Sequence, residues 1–438
     1  MKDTPINFEI VEKKIKESGL KSVGEASIRE IKKLIDQIET ASGEKFVRME
    51  MGIPGLPPTS IGVEAQKAAL DRGVAAIYPD IFGIAPLKEQ ISKFIKNFMN
   101  IDVSSEGCLP TVGSMQGSFA AFMTLNRMHA EREGTLFIDP GFPVHKQQLR
   151  VMGQGWDSFD VYNYRGEKLR KKLESYLSTG RFCSLLYSNP NNPSWICFTD
   201  TELQIIGELA NKYKIIVIED LAYFGMDFRK DYSKPGQAPY QPSVANYTDN
   251  YVLLISSSKV FSYAGERVGM MVISNKLFNT TAPDLLRYYR SDNVGYALIF
   301  GSIYSLSSGT NHSAQYALTA ILKAANEGNL NFVEKVKEYG QKAKIMKKMF
   351  IENGFKIVYD MDEDEPIADG FYFTFAYPGF SGSELLEKLL YYGISAITLD
   401  ITGSERHEGI RACVSLVKRT QFPDLEYRLK KFHQDHQK

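Results

Sequence analysis

Cysteine is scarce and carries no pattern. The 438-residue chain holds four, Cys108, Cys183, Cys197 and Cys413, with no C-x-x-C pair. That excludes a disulfide framework or zinc site and reads as buried, reduced thiols in a cytoplasmic protein. Net charge is absent too, with 52 Lys+Arg against 52 Asp+Glu and no basic block. Such a chain presents no attractive field to nucleic acid or anionic membranes. No apolar run reaches the ~18 residues of a membrane span, and the polar N-terminus has no signal-peptide core. The six histidines (His129, His145, His312, His407, His433, His436) show no metal-ligand spacing, so no metal is expected and all six read as structural or surface residues. Gly153-Gln154-Gly155 lacks the third glycine of a dinucleotide-binding turn, no P-loop is present, and no solenoid repeat occurs.

What remains is a long α/β pattern. Residues 1–45 read as a helical lead-in, with Ile28, Ile31, Leu34, Ile35 and Ile38 on one stripe. Residues 46–325 read as a large domain and 326–438 as a smaller α/β domain, on which the lead-in is expected to pack. Short apolar runs alternate with amphipathic helices: 108–112, 135–138, 183–187, 215–218, 251–255 and 268–273. Asp200–Tyr213 opens on a Thr199…Glu202 capping box. Continuous apolar strands between helices imply a mostly parallel sheet covered on both faces. In the smaller domain, helices are expected near 332–353, 383–392 and 423–435 and strands at 371–376 and 409–414. A helix over 313–325 is expected to join the two parts.

Ligands of open α/β sheets bind beyond the carboxyl ends of the strands, so the polar residues there carry the functional reading. After 251–255 come Ser256, Ser258, Lys259 and, eight positions on, Arg267 between Gly265 and Gly269. An amine that desolvation makes nucleophilic, beside hydroxyls and a guanidinium fork that suit a phosphate, is what a pyridoxal-phosphate (PLP) lysine requires. The strand 216–218 ends in Glu219-Asp220, with Tyr223 three residues on. Gly113-Ser114-Met115-Gln116 opens an apolar helix whose N-terminus suits a phosphate. Arg411 lies inside an apolar strand, where a guanidinium asks for an anion.

The order S-x-S-K-x-x-x-x-x-G-x-R-x-G resembles the lysine signature of class I/II aminotransferases, PLP enzymes of fold type I, and further segments extend the likeness from about residue 20 to the end. The resemblance implies a Schiff base on Lys259, phosphate contacts from Ser114, Met115, Ser256, Ser258 and Arg267, and a ring partner for the pyridine nitrogen in Asp220. Asp139-Pro140-Gly141-Phe142-Pro143 is similar to the element whose aromatic, here Phe142, stacks on the pyridine. Asn189-Pro190-Asn191-Asn192-Pro193-Ser194 is similar to the family's asparagine motif, which directs Asn192, with Tyr223, to the phenolic oxygen. The family's next residue is glycine, and Trp195 replaces it. Tyr78 matches a tyrosine that reaches the phosphate of a neighbouring subunit, implying a homodimer with shared active sites. Arg411 matches the arginine for the substrate carboxylate, and Gly52, Ile53 and Asn192 fall at the family's substrate side.

The implied activity is amino-group transfer between an amino acid and a 2-oxo acid. A β-eliminating C–S lyase shares the same lysine, aspartate and arginine and is the nearest alternative. A non-catalytic PLP-binding regulator is the other, although only about 45 residues precede the Gly52 loop and they are not strongly basic. The resemblance implies that members tuned for acidic donors hold the second carboxylate with an arginine of the partner subunit in the region matched by 298–305. No arginine occurs there or anywhere between Arg290 and Arg406, so a neutral or apolar amino donor is expected.

Overall fold

The computed structural model describes residues 4–437 and forms two compact units. The larger runs from Leu56 to Asn191 and from Cys197 to Val336; the smaller collects residues up to Gly55, Asn192–Ile196 and Lys337 onward.

The larger unit is built on a seven-stranded sheet in the order Cys108–Thr111, Gly269–Ile273, Tyr251–Ser256, Ile216–Leu221, Phe182–Ser188, Gly134–Asp139, Gly155–Asp160. Gly269–Ile273 is antiparallel to both neighbours and every other pairing is parallel. Every residue of Phe182–Ser188, Ile216–Leu221 and Tyr251–Ser256 is buried, as strands covered on both faces must be. The sequence pattern misses only the edge strand Gly155–Asp160, whose first four residues are exposed or half-buried.

Helix Gly113–Leu125 lies in the core, where Ala120, Ala121, Phe122 and Leu125 join a cluster with Leu254, Met271, Leu298 and Ile299. Burying one side chain the size of Phe122 contributes about 1.5–3 kcal/mol. Asp200–Tyr213 is a helix with both reciprocal bonds of the Thr199–Glu202 box made. Helix His312–Asn326 packs on Ser60–Asp71 and Ala85–Met99 and stays inside this unit. It does not join the two parts, because its apolar face is used up by those neighbours. The helix that crosses the unit boundary is Phe332–Glu352.

In the smaller unit an antiparallel sheet runs Ile397–Thr398, Ile410–Cys413, Tyr372–Ala376, Lys356–Ile357. Thr374 and Ile397 flank Arg411 in register. Phe350, Phe355, Phe375 and Phe432 fill the space behind it with ring centroids 4.5–5.7 Å apart. Helix Ile28–Ser42 buries Ile31, Leu34, Ile35 and Ile38. Val47–Arg48 pairs in parallel with Ile394–Ser395. Among the described residues no helix is long and apolar enough to cross a membrane, and no group of three or more His, Cys, Asp or Glu could hold a metal ion.

Candidate active site

In the larger unit the residues singled out by sequence gather at the carboxyl ends of the parallel strands. Strand Tyr251–Ser256 runs into a four-residue helix, Ser257–Val260. Ser256 caps it by accepting from the Ser258 N–H at 3.1 Å. That cap fixes the turn that presents Lys259, which is half-buried while its neighbours Ser258 and Val260 are buried.

One strand over, Asp220 is 5 % exposed. Its Oδ1 accepts from the Ala222 N–H at 3.1 Å, and its Oδ2 faces His145 Nε2 at 3.9 Å. Burial pushes the carboxyl up to about 7, opposed by the Ala222 N–H and the charge of Lys259. His145 is held down at about 4 by burial, so it is a neutral ring at neutral pH. Sequence reasoning counted it as structural or surface. It lies edge-on to Phe142, with centroids 5.6 Å apart, and the available signal was its place one helical turn after Phe142. Tyr223 is buried at 3 % exposure.

Of the phosphate-type residues, Ser114 and Arg267 meet at the start of helix Gly113–Leu125, and Ser256 pairs in register with Gly269 beside them. Helix Gly113–Leu125 starts without a side-chain cap, leaving its first amides available to an anion. Gly113 has φ +65°, and a Cβ there would stand 2.5 Å from Arg267 Nη2; one on Gly269 would stand 2.9 Å from the Ser114 nitrogen. Only glycine lets the guanidinium and the helix start approach so closely. Ser256 and Ser258 are buried, Met115 is 38 % exposed and Tyr78 is 89 % exposed.

The smaller unit holds Asn192, Arg411, Gly52 and Ile53. Arg411 is 2 % exposed. It donates from Nη1 to Asn192 Oδ1 at 3.2 Å and from Nη2 to the Glu50 carbonyl at 2.6 Å. Its guanidinium sits over the Tyr372 ring at 4.5 Å, and its buried Nε has no protein acceptor. Gly52 abuts the Tyr372 hydroxyl, which a Cβ would meet at 2.1 Å. Ile53 is 42 % exposed, and its carbonyl accepts from Ser415 Oγ at 2.5 Å.

A family model described as aminotransferase class I and II matches residues 49–398. The chain belongs to that family. An aspartate aminotransferase of Pyrococcus horikoshii is 25% identical over 310 residues, 70% of this chain and 74% of that protein. An alanine aminotransferase from Pyrococcus furiosus superposes with a TM-score of 0.77 at 19% identity, covering 94% of this chain and 98% of that one. An aspartate aminotransferase from Thermotoga maritima gives 0.74 at 20%, covering 96% and 98%. The fold is that of fold type I aminotransferases, and the protein is a PLP-dependent enzyme that transfers amino groups between amino acids and 2-oxo acids.

The residues present fit that cofactor. A buried carboxylate beside a backbone N–H, a neutral imidazole and the Lys259 amine would be stabilised by a protonated ring nitrogen. A helix start beside Arg267 matches a phosphate.

Proposed function

We propose that Lys259 is the amine that would hold PLP in this aminotransferase and that the same amine, when free, would take up the proton of the substrate Cα–H. PLP supplies the electron sink into which the Cα–H bonding pair is delocalised. Asp220 would keep the ring nitrogen protonated, with the neutral His145 beside the carboxylate. Asn192 and Tyr223 would serve the phenolic oxygen. Phe142 would face the ring, while Ser114, Met115, Ser256, Ser258 and Arg267 would hold the phosphate. Arg411 orients the substrate carboxylate next to Gly52 and Ile53. The observation that carries this reading is the burial of Asp220 beside Lys259, whose charge opposes the upward push that burial gives the carboxyl.

A spectrum of the purified protein tests it. The expected result is visible cofactor absorbance that an amino donor converts to the pyridoxamine spectrum, with borohydride fixing the cofactor covalently to the wild type and not to Lys259→Ala. Covalent fixing in Lys259→Ala would overturn the assignment. Release of a Cβ leaving group without pyridoxamine formation would instead identify a β-eliminating lyase.

The reading extends to assembly and donor. The protein is read as a cytoplasmic homodimer; the exposure of Tyr78 and Ile77, 89 % and 58 %, supports the dimer, in which Tyr78 would reach the partner's phosphate. A monomer with full activity at nanomolar concentration would remove that role. The donor is read as neutral or apolar. Several relatives are named for aspartate, and the discriminating feature is the absence of arginine between Arg290 and Arg406.

A further inference from the structure

Trp195 stands where the resembled motif has glycine, and it keeps a glycine-like backbone. Its φ is +67°, a left-handed conformation that is strained for a bulky residue. The side chain is nonetheless 1 % exposed, so the strained backbone serves to bury an indole. It is seated on Gly370: a Cβ there would lie 1.8 Å from Trp195 Cε2 and 2.0 Å from Nε1. Two residues on, Tyr372 meets the indole edge-on with centroids 6.1 Å apart.

Tyr372 in turn carries the Arg411 guanidinium on its ring at 4.5 Å, and Arg411 donates to Asn192 Oδ1 at 3.2 Å. Asn192 and Trp195 lie on one short segment, Asn192–Ile196, that belongs to the smaller unit. The contacts therefore close a ring: Asn192 to Arg411, Arg411 to Tyr372, Tyr372 to Trp195, and Trp195 back along the chain to Asn192. Each side chain fixes the plane or height of the next.

We propose that Trp195, locked onto Gly370, is the positioning residue that sets the plane of the Arg411 guanidinium and thereby the recognition of the substrate carboxylate. A planar fork binds a carboxylate well only in the right plane, and one face of this fork is fixed by Tyr372. Without the indole, Tyr372 gains room to tilt and the segment bearing Asn192 loses its anchor. The proposal rests on the assignment of Arg411 to the carboxylate.

The test compares two oxyamines on the PLP-loaded enzyme, both read by loss of cofactor absorbance. Aminooxyacetate carries a carboxylate and O-methylhydroxylamine does not, so the ratio of their capture rates isolates carboxylate recognition from cofactor reactivity. In the wild type the ratio should favour aminooxyacetate, and Arg411→Ala should abolish that preference. Trp195→Gly should lower the ratio about tenfold or more, with the O-methylhydroxylamine rate within about threefold of wild type. In turnover, the same variant should raise KM for the amino donor more than it lowers kcat. Trp195→Phe should restore most of the ratio.

Gly370→Ala should lower the ratio as well, by forcing the indole off its seat. Combined with Trp195→Gly it should cost nothing further, because the space is vacated. Gly370→Ala also decides the matter if Trp195→Gly fails to fold. A wild-type ratio in Trp195→Gly or Gly370→Ala, with Arg411→Ala altered, overturns this proposal and leaves the cofactor reading intact. A wild-type protein without cofactor absorbance, or an Arg411→Ala variant with a normal ratio, overturns the reading on which it rests.

Discussion

Asp220 Oδ2 faces His145 Nε2 across 3.9 Å, a buried carboxylate opposite an imidazole that burial keeps neutral. Neither group compensates the other's charge; the Lys259 amine offsets part of the burial cost, and a protonated ring nitrogen on the remaining side would offset more. In the cofactor-free protein the Asp220 carboxyl is pushed up to about 7 from an unfolded value near 3.8. Because the folded pKa is the higher one, its contribution to stability is full below pH 4 and is lost as pH rises through 7. A shift of that size corresponds to on the order of 4 kcal/mol. Denaturant titrations from pH 4 to 7.5 should therefore show the cofactor-free protein losing stability relative to Asp220→Asn. The PLP-bound protein should lack that relative loss, since a protonated ring nitrogen then balances the charge. Parallel profiles for cofactor-free wild type and Asp220→Asn would refute the argument.

The phosphate cradle gives a second expectation. Gly113→Ala places a methyl 2.5 Å from Arg267 Nη2 at a backbone φ of +65°, so the guanidinium must swing away from the helix start. Affinity for PLP should fall about tenfold or more, since a charge-assisted contact is loosened. Activity at saturating cofactor should change much less. Titrating the cofactor-free variant with PLP measures this directly, and an unchanged dissociation constant would count against Arg267 as a phosphate ligand.

Much of this arrangement was legible in the sequence, and the exceptions share a cause. Phe182–Ser188, Ile216–Leu221 and Tyr251–Ser256 are buried on both faces, which forces continuous apolar runs that composition alone reveals. Gly155–Asp160 lies at the sheet edge, where Trp156, Asp157 and Ser158 are only half-buried, so no run marks it. Asp220 was marked by its place at the end of such a strand together with the likeness to the family's ring-nitrogen aspartate. His145 did not. Its closeness to Asp220 arises only when Gly134–Asp139 and Ile216–Leu221 flank Phe182–Ser188, a relationship between segments far apart in the chain. Trp195 was visible as a departure from the motif, but its seat on Gly370 depends on a strand of the smaller unit. Local chemistry was readable; pairings made by tertiary register were not.

The charge of the preferred donor is the remaining expectation. The stretch 298–305, where the resemblance would place a second-carboxylate arginine, lies in and just after a π-helix, Ala297–Ile303. It buries Leu298, Ile299 and Ile303 in the core of the larger unit. Its outward side is aromatic: Phe300 packs on Tyr296 at 4.7 Å and edge-on to Phe82 at 5.0 Å, and Tyr304 is 50 % exposed. Arg287 and Arg290, the nearest candidates for a substitute, are both exposed, and Arg287 lies 5.9 Å from the Tyr288 ring. An aromatic wall cannot balance a carboxylate, and burying one unpaired costs several kcal/mol. A neutral or apolar, aromatic-tolerant amino acid should therefore be the best donor. The measurement is kcat/KM across a donor panel with a common 2-oxo acid. A tenfold advantage for aspartate or glutamate over every neutral donor, about 1.4 kcal/mol of transition-state preference, would show that a cation reaches the site from elsewhere, with Arg287 and Arg290 the first to replace by alanine.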